Sequence, residues 1–264
     1  MPEMSAVSTK VNSIGAMFSE PVFVQQLKLA LPRAGVTAER LARIAFTEVR
    51  RNPKLASCTR ESLMGSLMVC AQYGLEPGPA GFAWLIPYGE DCTFVLGYRG
   101  LCQLLWRSKD VAWINCQVVH EKDLFDYSLG APPRIEFKPS DDDERGKVTH
   151  VFAAIGTTSG GIVCQVWPHA KVEKHRKRFS KAGSGSPWET DWDPMAMKTL
   201  LIQASKFAPL SLEASAAITL DEKADQGIPQ EIDVTPPKEE EPETDEHGNP
   251  IPDDVGREPK QGEL

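Results

Sequence analysis

Nowhere in the chain do about 18 apolar residues run together, which argues against a membrane-spanning helix. The first ten residues show no basic-then-apolar pattern, so no secretory signal is expected. No two of the six cysteines (Cys58, Cys70, Cys92, Cys102, Cys116, Cys164) stand at C-x-x-C spacing, and none has a histidine in a zinc-finger arrangement. They lie in apolar stretches such as Leu67-Met68-Val69-Cys70 and read as small buried hydrophobes in a reducing compartment. Also missing are a G-x-x-x-x-G-K-[ST] phosphate loop, a G-x-G-x-x-G between strand and helix, H-E-x-x-H and G-x-S-x-G. Their absence argues against the common nucleotide-hydrolysing, dinucleotide-binding, zinc-peptidase and serine-hydrolase sites.

What is present is unevenly spread. Of 264 residues, 41% are hydrophobic, slightly low for a wholly globular chain, and 21 are proline. Residues 221–264 hold 15 acids and 4 bases, whereas residues 1–220 hold 22 acids and 25 bases. A mildly basic body therefore precedes a tail of net charge −11. The tail has seven prolines and no aromatic residue, too little apolar surface to offset ordering entropy. The expected organisation is a flexible N-terminus over 1–19, a core over 20–220 and a disordered acidic tail over 221–264. The tail is either a solubilising appendage, a competitor for the basic surface or a recruiter of a partner.

Within the body, periodicity predicts helices, then strands, then helices. Ser19-Glu20-Pro21 opens a helix carrying Val24, Leu27 and Leu31 and closed by Pro32. A second runs from about Thr37 to Arg51, with Leu41, Ile44, Ala45 and Val49 on one face. A third starts near Thr59, carries Leu63, Met64, Leu67, Met68 and Ala71, and ends at Gly74. Residues 82–86 and 93–96 flank a Gly89-Glu90-Asp91 turn and read as a hairpin. A short helix follows Gly97-Tyr98-Arg99-Gly100, and strands are expected at 114–119, 134–137, 148–155 and 162–167. Helices return at 168–179 and, with an amphipathic pattern, at 194–207; a Gly/Ser loop separates them. The fold class is α+β, with a mixed or antiparallel sheet between N-terminal and C-terminal helices.

The strongest positive signal is a basic segment. Lys171, Lys174, His175, Arg176, Lys177, Arg178 and Lys181 fall within eleven positions, opposed only by Glu173. On a helix, Lys171, Lys174 and Arg178 share a face, with Lys177 and Lys181 beside it. Trp167, Phe179 and Trp188 bracket the cluster. Cations interleaved with rings suit a DNA or RNA backbone groove; a solvated helix over core aromatics is the plainer alternative. A second constellation is Asp126, Glu136 and Lys138 on two adjacent predicted strands. It is compatible with a metal-dependent nuclease, in which carboxylates hold the metal and lysine steadies water, but solvated charges on a sheet edge are the plainer reading.

Several motifs in order carry a resemblance. They are Leu75-Glu76-Pro77-Gly78, Leu85-Ile86-Pro87-Tyr88-Gly89, Gly97-Tyr98-Arg99-Gly100, Lys181-Ala182-Gly183 with Pro187-Trp188, and Met195-Ala196-Met197-Lys198-Thr199. Together, over about residues 20–222, the chain resembles the RecT family of phage single-strand annealing proteins. The resemblance implies ATP-independent pairing of complementary strands in phage recombination, without enzymatic chemistry and without a cofactor beyond assistance by Mg2+. It implies a ring or helical filament of identical subunits around a positive groove in a bacterial cytoplasm. The implied partners are single-stranded and annealed DNA, a phage 5′→3′ exonuclease and the host single-strand-binding protein. Arg99, Arg107, Lys181, Lys198 and Lys206 match basic positions of the family. With Lys171, Lys174 and Arg178 they form the expected DNA-binding set. Where family members often carry two adjacent arginines this chain has Gln203-Ala204, and the bases at 174–178 are expected to compensate. A generic single-strand coating protein is the remaining alternative. Gly97 and Gly100 are expected to serve close backbone approach rather than DNA contact.

Overall fold

In the computed structural model, residues 11–32, 36–179, 187–230 and 232 are described. Helix α1 spans 11–18, and α2 follows at Pro21–Ala30 with proline in its first turn. Met17 and Phe18 of α1 are buried, so folded structure reaches into the stretch expected to be a flexible terminus. Helix α3 (Ala38–Arg51) starts on Thr37, whose side chain accepts the Arg40 amide. Its Leu41, Ala45 and Val49 are buried at helical spacing. A 3-10 turn at Pro53–Ser57 leads to α4 (Arg60–Tyr73), capped by the Thr59 hydroxyl and closed by Gly74 at φ 57°.

All paired strands are antiparallel, but they form three small sheets rather than one. Strands β1 (Ala83–Tyr88) and β2 (Asp91–Leu96) make a hairpin. Helix α5 (Tyr98–Arg107) leads to β3 (Val111–His120), which pairs with β6 (Val148–Thr157), and β6 pairs with β7 (Ile162–Pro168). Between β3 and β6, strands β4 (Leu124–Ser128) and β5 (Arg134–Lys138) form a second hairpin. Its Phe125, Ile135 and Phe137 cover Val119, Phe152 and Val166 at one end of the larger sheet. Four helices complete the described fold: α6 (His169–Phe179), α7 (Pro187–Thr190), α8 (Trp192–Ser205) and α9 (Leu212–Gln226).

Helix α8 departs from the expected amphipathic pattern. Ala196, Lys198, Thr199, Leu200, Leu201, Ile202, Ala204 and Ser205 are all buried, which leaves little polar face. The helix packs on β3, β6 and β7 and also touches α5 and α7, so apolar residues are required nearly all round. Helix α9 corrects the expected tail boundary. It runs six residues past 220, buries Asp221 and Ala224, and ends at Gly227 in the left-handed region.

The segment after α9 is tied to β2 as well. Gln230 accepts the Phe94 amide at 3.0 Å and donates to the Phe94 carbonyl at 2.8 Å. Asp221 accepts the Leu96 amide at 2.9 Å. Ser62 accepts the Cys92 amide at 2.9 Å and Ser66 donates to the Cys92 carbonyl at 2.8 Å. Alternate residues of the free edge of β2 are thus satisfied by side chains, which blunts it against pairing with another chain.

Candidate nucleic-acid interface

Strand β7 passes directly into α6, so the basic segment becomes a helix anchored at its root by the sheet. Val172 is fully buried, and the His175 ring lies 5.5 Å from Trp167 and 4.5 Å from Phe179. Glu173 accepts the Trp192 indole N–H at 2.7 Å and pairs with Arg176 at 3.1 Å. These contacts fix which side of α6 faces inward. Burial, reinforced by the charges of Lys206 and Arg178, pushes the pKa of the His175 imidazole below its ordinary value.

Lys171, Lys174, Lys177 and Arg178 remain on the exposed side. None of the four forms an ion pair with a described residue; the one ion pair on α6 belongs to Arg176. Lys171 Nζ stands 4.1 Å from the centroid of the Trp167 ring and the Arg178 guanidinium 5.0 Å from that of Phe179. Like charges three and four residues apart cost the isolated helix about 0.2–0.5 kcal/mol each. A polyanion laid along this face would relieve that repulsion, and each phosphate neutralised releases condensed counterions.

The remaining expected residues have different fates. Lys206 is exposed at the end of α8, 2.7 Å from Glu222. Arg99 is exposed on the first turn of α5 and reaches the Ala80 carbonyl at 3.5 Å. Arg107 is engaged elsewhere: its guanidinium donates to the Tyr73 and Gly74 carbonyls and caps the end of α4. Lys198 is withdrawn from the surface altogether. Its side chain is 6% exposed, and Nζ lies 2.8 and 2.7 Å from the two oxygens of fully buried Asp221. Helix α8 is covered on the Lys198 side, whereas Lys206, just past its end, stays exposed. Lys181 lies outside the described residues.

Among the aromatics, Trp167 and Trp188 are buried, only 7% and 8% exposed, so core packing is their role. Gly97 and Gly100 are structural, as expected. A Cβ at either would stand 2.0 Å from a backbone oxygen, that of Gly81 or Phe82 respectively.

The proposed nuclease constellation finds no support. Asp126 and Glu136 are cross-strand partners, but Arg134 lies between their carboxylates at 3.3 and 3.0 Å. All three side chains are more than half exposed, so this is a solvated charge cluster whose cation is supplied by the chain itself. Among the described residues, no group of three or more histidine, cysteine or acidic side chains is arranged to hold a metal ion. No described helix is long and apolar enough to cross a membrane.

Comparison with known proteins supplies an independent line. The family model described as RecT family matches residues 39–239. Protein RecT of Escherichia coli (strain K12) is 36% identical over 225 residues, covering 82% of each chain. The uncharacterized protein YqaK of Bacillus subtilis (strain 168) is 35% identical over 170 residues, covering 63% of this chain and 58% of its own. The matched range includes α6, α8 and α9, hence both the exposed cation face and the buried Lys198–Asp221 pair.

Proposed function

The chain belongs to the RecT family and is a single-strand annealing protein of recombination, and we propose that it holds the DNA backbone on the outer face of α6. The observation that carries this reading is the set of four exposed cations, Lys171, Lys174, Lys177 and Arg178, with no carboxylate partner among the described residues. Lys206 is exposed but paired with Glu222 and so stands outside that set, and Arg99 contributes from a separate element. Bound cations lower the repulsion between two phosphate backbones, and base pairing then supplies the free energy of annealing. Such a reaction needs neither ATP nor a catalytic residue, and Mg2+ assists only by screening. Head-to-tail assembly into a ring or filament aligns successive α6 faces, so modest contacts sum along the strand. In this reading the protein works in the cytoplasm of a phage-infected cell, beside a 5′→3′ exonuclease and the host single-strand-binding protein.

The experiment is annealing of two complementary oligonucleotides added in sequence without ATP, followed by fluorescence quenching. The wild type should pair them faster than the protein-free control, and Lys174→Gln/Arg178→Gln should lose most of that gain. Binding with no faster pairing would demote the chain to a coating protein.

A further inference from the structure

Helix α5 carries two arginines and no acid. Its Leu101, Leu104 and Leu105 are buried, which turns one face towards the core. Both ends of the helix are pinned. A Cβ at Gly100 would stand 2.0 Å from the Phe82 carbonyl oxygen, and Arg107 donates to the Tyr73 and Gly74 carbonyls. The outward face is thereby fixed: Arg99 and Trp106 are exposed, and Gln103 between them is half-buried. Positions four and seven residues apart share a helix face, and the helical rise sets Arg99 and Trp106 about 10 Å apart along the axis.

Neither exposed side chain is explained by folding. Trp106 is the most exposed tryptophan of the chain, 53% against 41% for Trp113 and 39% for Trp84. Trp113 is seated, since its ring fills the space that a side chain at Gly156 would take. Trp106 makes no ring, cation–π or hydrogen-bond contact with a described residue. Arg99 forms no ion pair with a described residue, and its one hydrogen bond, to the Ala80 carbonyl, is 3.5 Å long. It also stands in the first helical turn, where the macrodipole disfavours a cation. An indole and a guanidinium on one rigid, acid-free face match the two features of a single strand, bases that stack and phosphates that attract cations.

We propose that Trp106 stacks on a nucleobase of the bound single strand while Arg99 holds a phosphate of the same strand. This rests on the reading of the chain as a strand-annealing protein with Arg99 among its contacts, and deepens it: α5 supplies a ring as well as a charge. Stacking carries no net charge, so Trp106 adds affinity without adding to counterion release.

The test compares Trp106→Ala, Trp106→Leu, Trp106→Phe and Arg99→Gln in the full chain, titrated with an oligothymidylate and with an abasic oligonucleotide of equal length. Loss of a stacked base should weaken oligothymidylate binding by about tenfold in the Ala and Leu variants, and Trp106→Phe should keep most of the affinity. In all three, abasic-strand binding and the slope of log affinity against log salt should match wild type. Arg99→Gln should lower that slope by about 0.7 on both oligonucleotides. Equal losses on both oligonucleotides in the Trp106 variants, or a Leu variant as tight as wild type, would overturn the proposal. So would a change in oligomer size without DNA, measured by light scattering, since α5 would then face another subunit. Failure of the annealing reading has a different signature: the wild type would bind without speeding the pairing of complementary strands, while the Trp106 variants still told the two oligonucleotides apart.

Discussion

Lys198 offers the clearest division between a residue that matches a basic family position and one that touches DNA. Replacing it with alanine removes the ammonium from between the two carboxylate oxygens of Asp221, which is 0% exposed and has its other recorded hydrogen bond from the Leu96 amide. Breaking a buried pair from one side costs about 3–5 kcal/mol, because the remaining charge is left uncompensated. For a folded body of this size each kcal/mol lowers the melting midpoint by about 2–4 °C, so the drop should be roughly 6–20 °C. Lys198→Met keeps the stem but not the charge and should cost nearly as much. Lys198→Met/Asp221→Asn should recover part of the loss, since asparagine removes the stranded charge and still offers an acceptor to Leu96. The assay is calorimetric or far-UV thermal unfolding, paired with a salt titration of single-strand binding at a temperature where every variant is folded. There the salt slope should match wild type. A stable Lys198→Ala whose slope falls by about 0.7, the share of one phosphate on a single strand, would place this lysine on DNA and refute the buried-pair argument.

Other expected outcomes follow from the same geometry. Lys174→Gln/Arg178→Gln should lower the single-strand salt slope by about 1.4, while Arg176→Gln should change it little, because Arg176 is half-buried against Glu173. Gly97→Ala should abolish soluble expression or cost several times the ordinary Gly-to-Ala effect, checked by soluble yield and thermal midpoint, since its Cβ would stand 2.0 Å from the Gly81 oxygen. The Asp123 side chain is covered and accepts from Arg145 at 2.8 and 2.5 Å and from the Ser140 and His120 amides, which hold its carboxyl well below the usual range. Its folded-state value is depressed, so its stabilisation is present above the ordinary aspartate range near 4 and is lost as pH falls further towards the folded value. Asp123→Asn should therefore flatten the acid limb of a stability-against-pH curve. Gln230→Ala, which removes both bonds to Phe94 and one to Leu220, should lower stability by about 1–3 kcal/mol in urea unfolding.

Much of the framework is legible because its signals are local. Thr37 and Thr59 cap the helices they were expected to start, and Gly74 takes the left-handed conformation that ends α4. The turn at Gly89, with φ 63°, closes the β1–β2 hairpin where a Gly-Glu-Asp turn predicts one. The basic face of α6 is legible for the same reason: its helical spacing and its uncompensated charge lie within eleven consecutive residues.

What sequence reading misplaces depends on partners far along the chain. Arg107 matches a basic family position, and the carbonyls it caps are 34 and 33 residues upstream. Lys198 matches another, and its partner lies 23 residues downstream, at the first position of a segment whose composition reads as disordered. For Lys198 the composition of residues 221–264 merges Asp221 with the acidic tail, so the carboxylate that holds it is not visible as its partner in the sequence. Burial separates the two uses of charge: a cation matched by a buried carboxylate holds α8 to α9 and β2, whereas the exposed α6 cations have no carboxylate partner among the described residues and are the ones proposed to meet an external polyanion. Family membership alone does not make that division, because a basic position retained for folding and one retained for binding look alike until the carboxylate is found.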